Sequence, residues 1–417
     1  MGENKELSMN RVVITGMGAV SPFGIGVETL CSCIWQGKSA VKFMKDWQHI
    51  KGLNSLIAAP VPDINAKKLI HRTLRRTMGP MAIWSAIAAR EAVKDACLTP
   101  EDLSSEDTGV IIGSTTGSPS VHEEFYREFL PEETIEGVKS GVFFKIMGHS
   151  CAANVCLDLK IKGHQWATAS ACTSSSQAIG LGFILLRTGI QRIVLCGGAD
   201  EVHPTVTMVF DVLKAASRKN VTPNQTPSPF DKDRDGVVCG GGAGILVLET
   251  LESARKRKAK IYAEILGFAL NCDSQHIANP DANQMAKVMQ KALKDADVSP
   301  KDVDYISAHA TGTNKGDIAE AQAIKQVFGK NTPVSSIKGH IGHSLGAAGV
   351  LESIVAIESF KRQELVPTLN LNTPDPACDI ELVQQVESTE VNMILKNNFA
   401  LGGVNTSLLF RRWSSYE

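Results

Sequence analysis

Long hydrophobic runs are missing from this chain of 417 residues. The longest apolar stretch, Ala178 to Leu186, falls well short of the roughly 18 residues a membrane-spanning helix needs. Charge of one sign is missing as well. Lys plus Arg number 43 and Asp plus Glu 44, for a net charge of −1, so the chain as a whole carries no nucleic-acid or polyanion signal. The ten cysteines form no C-x-x-C pair and follow no regular spacing. The first ten residues, polar and holding Glu3 and Glu6, read as neither signal nor transit peptide. The expectation is a cytoplasmic protein with reduced thiols and a tail over residues 1–8. No low-complexity linker interrupts a length that corresponds to two or three domains, or to one large two-part body.

Short strand-like runs alternate with helical patterns from end to end. Arg11–Thr15, Gly109–Gly113, Arg192–Leu195 and Val303–Ser307 read as buried strands, while Trp84–Ala96, Asp317–Phe328 and the stretch after Gly349 read as helices. Continuous apolar strands between helices predict an α/β fold with sheets covered on both faces. The softest break is the charged run Glu252–Lys260, read as a solvated helix end. No repeat of residue identity relates the two halves.

Two motifs fail on inspection. Gly16-Met17-Gly18 follows a strand like a dinucleotide fingerprint, but Ser21 stands at the third glycine and Pro22 where a helix should begin. Asp231-Lys232-Asp233-Arg234-Asp235-Gly236 opens like a calcium loop, yet position 12 is Gly242 where a bidentate Glu is required. A structural turn with Arg234 paired to nearby acids is expected instead.

The strongest local signal is Ala169-Ser170-Ala171-Cys172-Thr173-Ser174-Ser175-Ser176. A cysteine at a helix N-terminus meets the positive end of the dipole and free N–H groups, which favour thiolate and can hold an oxyanion. A buried cysteine in a small-residue helix would read the same way. His309 ends a strand-like run before a Gly/Thr loop, and His343 lies in a glycine-rich turn with Lys338 and His340. His340 and His343 as a metal pair lack a third ligand, so no metal is expected.

Taken in order, these segments resemble a β-ketoacyl-acyl carrier protein synthase of the type II elongating class, in the thiolase-like superfamily. The resemblance runs from about Arg11 to Phe410. It rests on the Cys172 segment, Pro229-Phe230-Asp231 with Arg234-Asp235-Gly236, and His309, Thr311 and Thr313 with Asp317 and Glu320. Lys338, Gly342-His343, Gly346-Ala347-Ala348-Gly349 and Gly402-Gly403-Val404-Asn405 complete it. It implies a five-layer αβαβα fold of two related halves, divided here at 1–257 and 258–417.

The resemblance also implies a decarboxylative Claisen condensation. Cys172 would carry the acyl chain, His309 and His343 would stabilise the enolate from malonyl-acyl carrier protein, and Lys338 would support them. The N–H groups of Cys172 and Leu401 would form the oxyanion hole, and Thr311 and Thr313 would bind the phosphopantetheine arm. Thr115, Thr116, Phe143 and His149, with Ala400 and Leu401 at the gate, would line the acyl pocket. Lys67, Lys68, Arg72, Arg75 and Arg76 would receive an acidic acyl carrier protein, although a solvated face reads similarly. No bound cofactor, nucleic acid or membrane span is implied; a homodimer is, or a heterodimer with a ketosynthase-like partner.

Four positions depart from the family pattern. Leu401 replaces a gatekeeper Phe, Ala400 and Ala310 replace glycines, and Gly241 replaces a Glu. They suggest an altered acyl preference, as in a specialised polyketide, polyene or lipid pathway. The alternatives are a non-catalytic chain-length-factor-like subunit, which typically lacks the cysteine, and a Cys/His hydrolase, to which the second histidine, Lys338 and both threonines would be surplus.

Overall fold

The computed structural model describes residues 9–414, and the tail at residues 1–8 lies outside them. In the first half the sheet is built from β1 (Val12–Ser21), β2 (Thr108–Gly113), β3 (Gln165–Trp166), β4 (Ile193–Asp200) and β5 (Gly242–Thr250). In the second it is built from β6 (Ala263–Cys272), β7 (Tyr305–Ser307), β8 (Val334–Ser335), β9 (Met393–Phe399) and β10 (Val404–Arg412). The sheet order is β8-β7-β9-β10-β6-β1-β5-β4-β2-β3. Read outward from β1 and from β6, each half gives its own first, fifth, fourth, second and third strands. The senses repeat too, with the three outermost strands of each half parallel and the others antiparallel. The halves join where β1 and β6 pair antiparallel, Val12 opposite Ile265 and Ile14 opposite Ala263. The repeat is therefore one of topology, which needs matching apolar periodicity rather than matching residues.

Six helices complete the layers: α1 (Pro80–Asp95), α2 (Ser150–Leu159), α3 (Ser174–Arg187), α4 (Ala282–Ala296), α5 (Asn314–Phe328) and α6 (Ala348–Arg362). α3 and α6 pack together in the middle, α1 and α2 cover the first half, and α4 and α5 cover the second. Strand periodicity produces this order. On β4, Val194 and Cys196 join the central core with Ile179 and Phe183, while Ile193 and Leu195 face the core under α1. On β10, Leu408 and Phe410 point to the middle and Leu409 to Met285 and Val288 of α4. Each fully buried aliphatic contributes about 1.5–3 kcal/mol, which favours covering both faces of the central strands.

Three expectations are corrected. β1 continues through Gly16, Gly18 and Ser21 rather than stopping at Thr15. Its glycines admit α1, because a Cβ on Gly18 would overlap the Ala88 carbonyl oxygen. β4 likewise runs on through Gly197 and Gly198. The charged run is not simply solvated either. Arg257 turns inward and donates to the buried Glu249 carboxylate at 2.7 Å and to the Ala96 carbonyl at 2.5 Å. The Asp231–Gly236 stretch is a turn built round buried Arg234, which donates to Asp375 at 2.7 Å and lies 3.6 Å from Asp317. Among the described residues no helix is long and apolar enough to cross a membrane.

Candidate active site

Both central helices are entered through a short 3-10 turn, Ala171–Thr173 before α3 and Leu345–Ala347 before α6. These two approaches carry Cys172 and His343 to one point. The His343 Nε2 lies 2.9 Å from Cys172 Sγ. His309, just beyond β7, sets its ring edge-on to His343 with centroids 5.1 Å apart. Sequence-distant Cys172, His309 and His343 are thereby gathered, all buried, with ligand-type atoms within 4.8 Å of one another.

The hydrogen bonds behind the rings assign their protons. The Leu345 N–H donates to His343 Nδ1 at 3.3 Å. Asn398 Nδ2 lies 3.3 Å from His309 Nδ1, and Lys338 Nζ lies 3.4 Å from it. Each Nδ1 is therefore an acceptor, and each neutral ring carries its proton on Nε2. A metal-ligating imidazole is held the opposite way, donating its second N–H to a carboxylate or carbonyl. The trio is built to donate hydrogen bonds rather than to ligate a cation. His340 is packed apart from it, with its ring nitrogens facing the carbonyls of Lys38 and Pro367.

Electrostatics keep both rings neutral. Burial first, then the Lys338 charge, holds His309 well below the ordinary histidine range and His343 down at about 3. Lys338 pairs with Glu352 of α6 and donates to the His309 carbonyl. Burial pushes the Cys172 thiol up to about 12, against the thiolate expected from its place before a helix. Lys338 and the N–H groups of Leu401 and Cys172 oppose that rise.

The loop after His309 is held by acids of α5. Glu320 accepts the N–H groups of His309 and Ala310 at 2.8 and 2.7 Å, and Asp317 accepts those of Thr311 and Gly312 at 3.0 and 3.1 Å. Thr311 and Thr313, their hydroxyls 3.1 Å apart, line a mouth cavity of about 370 Å³ with Cys172, His309, His343, Ala400 and Leu401. A second cavity of about 630 Å³ meets the first at Cys172, Phe210 and Leu401. Its wall includes Thr115 and Thr116 with His122, Glu123, Tyr126, His203 and Val209.

His149 and Phe143 are not brought there; both are exposed in the stretch ahead of α2, outside both cavities. Lys67, Lys68, Arg72 and Arg76 are exposed, while half-buried Arg75 donates to the Ile70 carbonyl at 3.0 Å. Positive φ in the final turn falls on Gly402 and Gly403, so Ala400 is unstrained in this conformation. Sequence reading missed Glu352, Lys396 and Asn398 as neighbours of the histidines. Their signal was present, since a lone acid in the apolar run of α6 and a lysine inside a strand must find buried partners.

Cys172 stands where two cavities meet, beside two imidazole donors that line the mouth cavity, an arrangement suited to a condensing enzyme on a doubled, thiolase-like α/β frame. Family models agree along most of the chain: the β-ketoacyl synthase N-terminal domain matches residues 9–254 and the C-terminal domain residues 262–372. The 3-oxoacyl-[acyl-carrier-protein] synthase 2 of Synechocystis is 33% identical, covering 98% of this chain and 99% of that protein. The crystal structure of a β-ketoacyl synthase from Burkholderia phymatum superimposes with a TM-score of 0.94 at 40% identity, over 97% of this chain and all of that one. A type II polyketide ketosynthase, solved with its acyl-carrier protein and bound to a hexaketide, matches with a TM-score of 0.89 at 30% identity, covering 97% and 100%. The chain belongs to the β-ketoacyl synthase family.

Proposed function

We propose that this protein condenses an acyl chain, held as a thioester on Cys172, with malonyl-acyl carrier protein to give a β-ketoacyl-acyl carrier protein. The observation that carries this reading is the placement of Cys172 Sγ between two cavities, beside two rings whose Nε2 positions are hydrogen-bond donors. Cys172 attacks the donor thioester, the carrier thiol leaves, and the acyl chain passes into the larger cavity beside Thr116. Malonyl-carrier then enters through the mouth, its pantetheine arm along Thr311 and Thr313. Loss of carbon dioxide puts negative charge on the thioester oxygen, which the Nε2–H groups of His309 and His343 receive. The carbanion attacks acyl-Cys172, the N–H groups of Cys172 and Leu401 receive the oxyanion, and collapse expels the Cys172 thiolate, which is reprotonated.

The same reading assigns residues 1–257 to a nucleophile half and 258–417 to a histidine half. It takes Lys67, Lys68, Arg72, Arg75 and Arg76 as the docking face for an acidic carrier protein, Lys338 as the electrostatic support, and a dimer as the working unit. A cytoplasmic site accords with ten free cysteines. No cofactor beyond the carrier's own arm enters these steps. Cys172 sets the chain apart from a chain-length-factor subunit, and the exchange of the gate Phe for Leu401 favours an altered acyl preference. Intact mass measurement after adding acyl-carrier and then malonyl-carrier protein tests the proposal. Acylated Cys172 followed by a ketoacyl product two carbons longer is expected; carbon dioxide release without any Cys172 adduct would overturn it.

A further inference from the structure

On β9, Ile394, Lys396 and Asn398 share the face turned to the central layer, as the period of two requires. Lys396 is fully buried there and lines neither cavity. Its Nζ lies 2.8 Å from Glu352 Oε2, and it also donates to the Asn397 carbonyl. Asn398 Nδ2 donates to the same Oε2 at 2.9 Å and faces His309 Nδ1 at 3.3 Å. Ser176 Oγ donates to Asn398 Oδ1 at 2.5 Å, which fixes the amide's orientation from the other side. Glu352 Oε1 is taken by Lys338. One buried carboxylate thus stands between two lysines beneath His309.

We propose that Lys396 is a positioning residue for decarboxylation: by holding Glu352 Oε2 beside Asn398 it keeps Asn398 donating to His309 Nδ1, and so keeps the His309 proton on Nε2, facing the nascent enolate. The inference rests on the reading above. The charged and titratable groups facing His309 are Lys338, Lys396, His343 and Cys172, with Glu352 reached through Asn398 and Glu320 bonded to its backbone. The Lys396 charge adds to that of Lys338 in disfavouring a protonated ring. Acylation of Cys172 does not use His309 Nε2.

The test separates the half-reactions in the full-length protein. For Lys396→Met, acyl transfer to Cys172, followed by intact mass, is expected within about two-fold of the parent. Malonyl-carrier decarboxylation is expected to fall about ten-fold or more. Its acid limb should also move to higher pH, because the charge that disfavours imidazolium is gone, and Lys396→Arg should restore part of the rate. Equal losses in both half-reactions, or an unshifted pH profile, would overturn the inference. If Lys396→Met does not fold, Asn398→Ser removes the amide donor with Lys396 in place, and unchanged decarboxylation there would overturn it equally. Absence of decarboxylation in the parent would instead refute the condensing reading itself.

Discussion

Ala171 and Leu345 hold the same unusual backbone at equivalent points of the two halves, with φ of 49° and 50°. Each begins the 3-10 turn that leads into a central helix. One places Cys172 next in sequence; the other turns its N–H back onto His343 Nδ1. A left-handed conformation in a non-glycine residue costs on the order of 1–3 kcal/mol, and here it is met at both approaches to the reacting atoms. A β-branched side chain tolerates it least. Ala171→Val is therefore expected to lower stability by about 1–3 kcal/mol and to slow acylation. Denaturant unfolding and the mass-detected acylation rate check this; an unchanged midpoint would contradict it.

Removing the sulfur should separate the two chemistries. Cys172→Ala is expected to show no acyl adduct while still releasing carbon dioxide from malonyl-carrier protein, because both Nε2–H donors remain. His343→Ala or His309→Ala should instead depress decarboxylation by about 10²–10³-fold, the usual cost of one donor to a developing oxyanion. Carbon dioxide release and intact mass read the two halves separately.

The pH dependence follows from the directions of the shifts. His343 is held down at about 3 and His309 also far below its ordinary range, so both rings stay neutral through pH 5–8. Decarboxylation should show no acid limb near 6.5. The Cys172 thiol is raised to about 12, so its thiolate fraction grows with pH across the neutral range, and acylation should accelerate with it. A flat acylation profile between pH 6 and 9 would refute the second expectation, a decarboxylation limb at 6–7 the first.

Leu401 lies in the wall common to both cavities. Restoring a larger side chain with Leu401→Phe should narrow that passage. Decarboxylation by unacylated enzyme is then expected to fall relative to acylated enzyme, and bulky donors to lose more rate than short ones. Donor competition followed by mass spectrometry would measure it, and an unchanged donor profile would count against a gate at this position.

Arg234 is buried against Asp317 and Asp375, and Asp317 in turn accepts the N–H groups of Phe230, Thr311 and Gly312. Arg234→Met strands a buried carboxylate, which typically costs about 3–5 kcal/mol. A large drop in the unfolding midpoint is expected, with KM for malonyl-carrier raised in whatever folds, since the Thr311–Thr313 loop loses its support.

Much of this was legible in the chain itself. Cys172, His309 and His343 stand in small-residue and glycine-rich segments whose composition marks a close approach, and strand–helix alternation was enough to name an α/β frame. Other features were not legible. Gly16 and Gly18 look like a turn in sequence because nothing local announces the helix that lies across them. The low pKa expected for Cys172 follows from the helix end alone, whereas burial by residues far along the chain dominates.

Residue types and their periodicity by themselves determined which groups were available for chemistry and that both faces of the strands would be covered, because side-chain period and apolar content are local properties. Only the tertiary structure decided that two topologically identical halves meet at β1 and β6, which brings Cys172 and His343 to 2.9 Å across 171 positions of chain. It also decided the protonation of the site. The proton sits on Nε2 of each ring because Leu345, Asn398 and Lys338 present donors to Nδ1, and the rings stay neutral because they are buried and, after that, because lysine charge lies beside them. Hydrogen-bond direction and desolvation depend on what surrounds an atom in space, which the order of residues along a chain does not state.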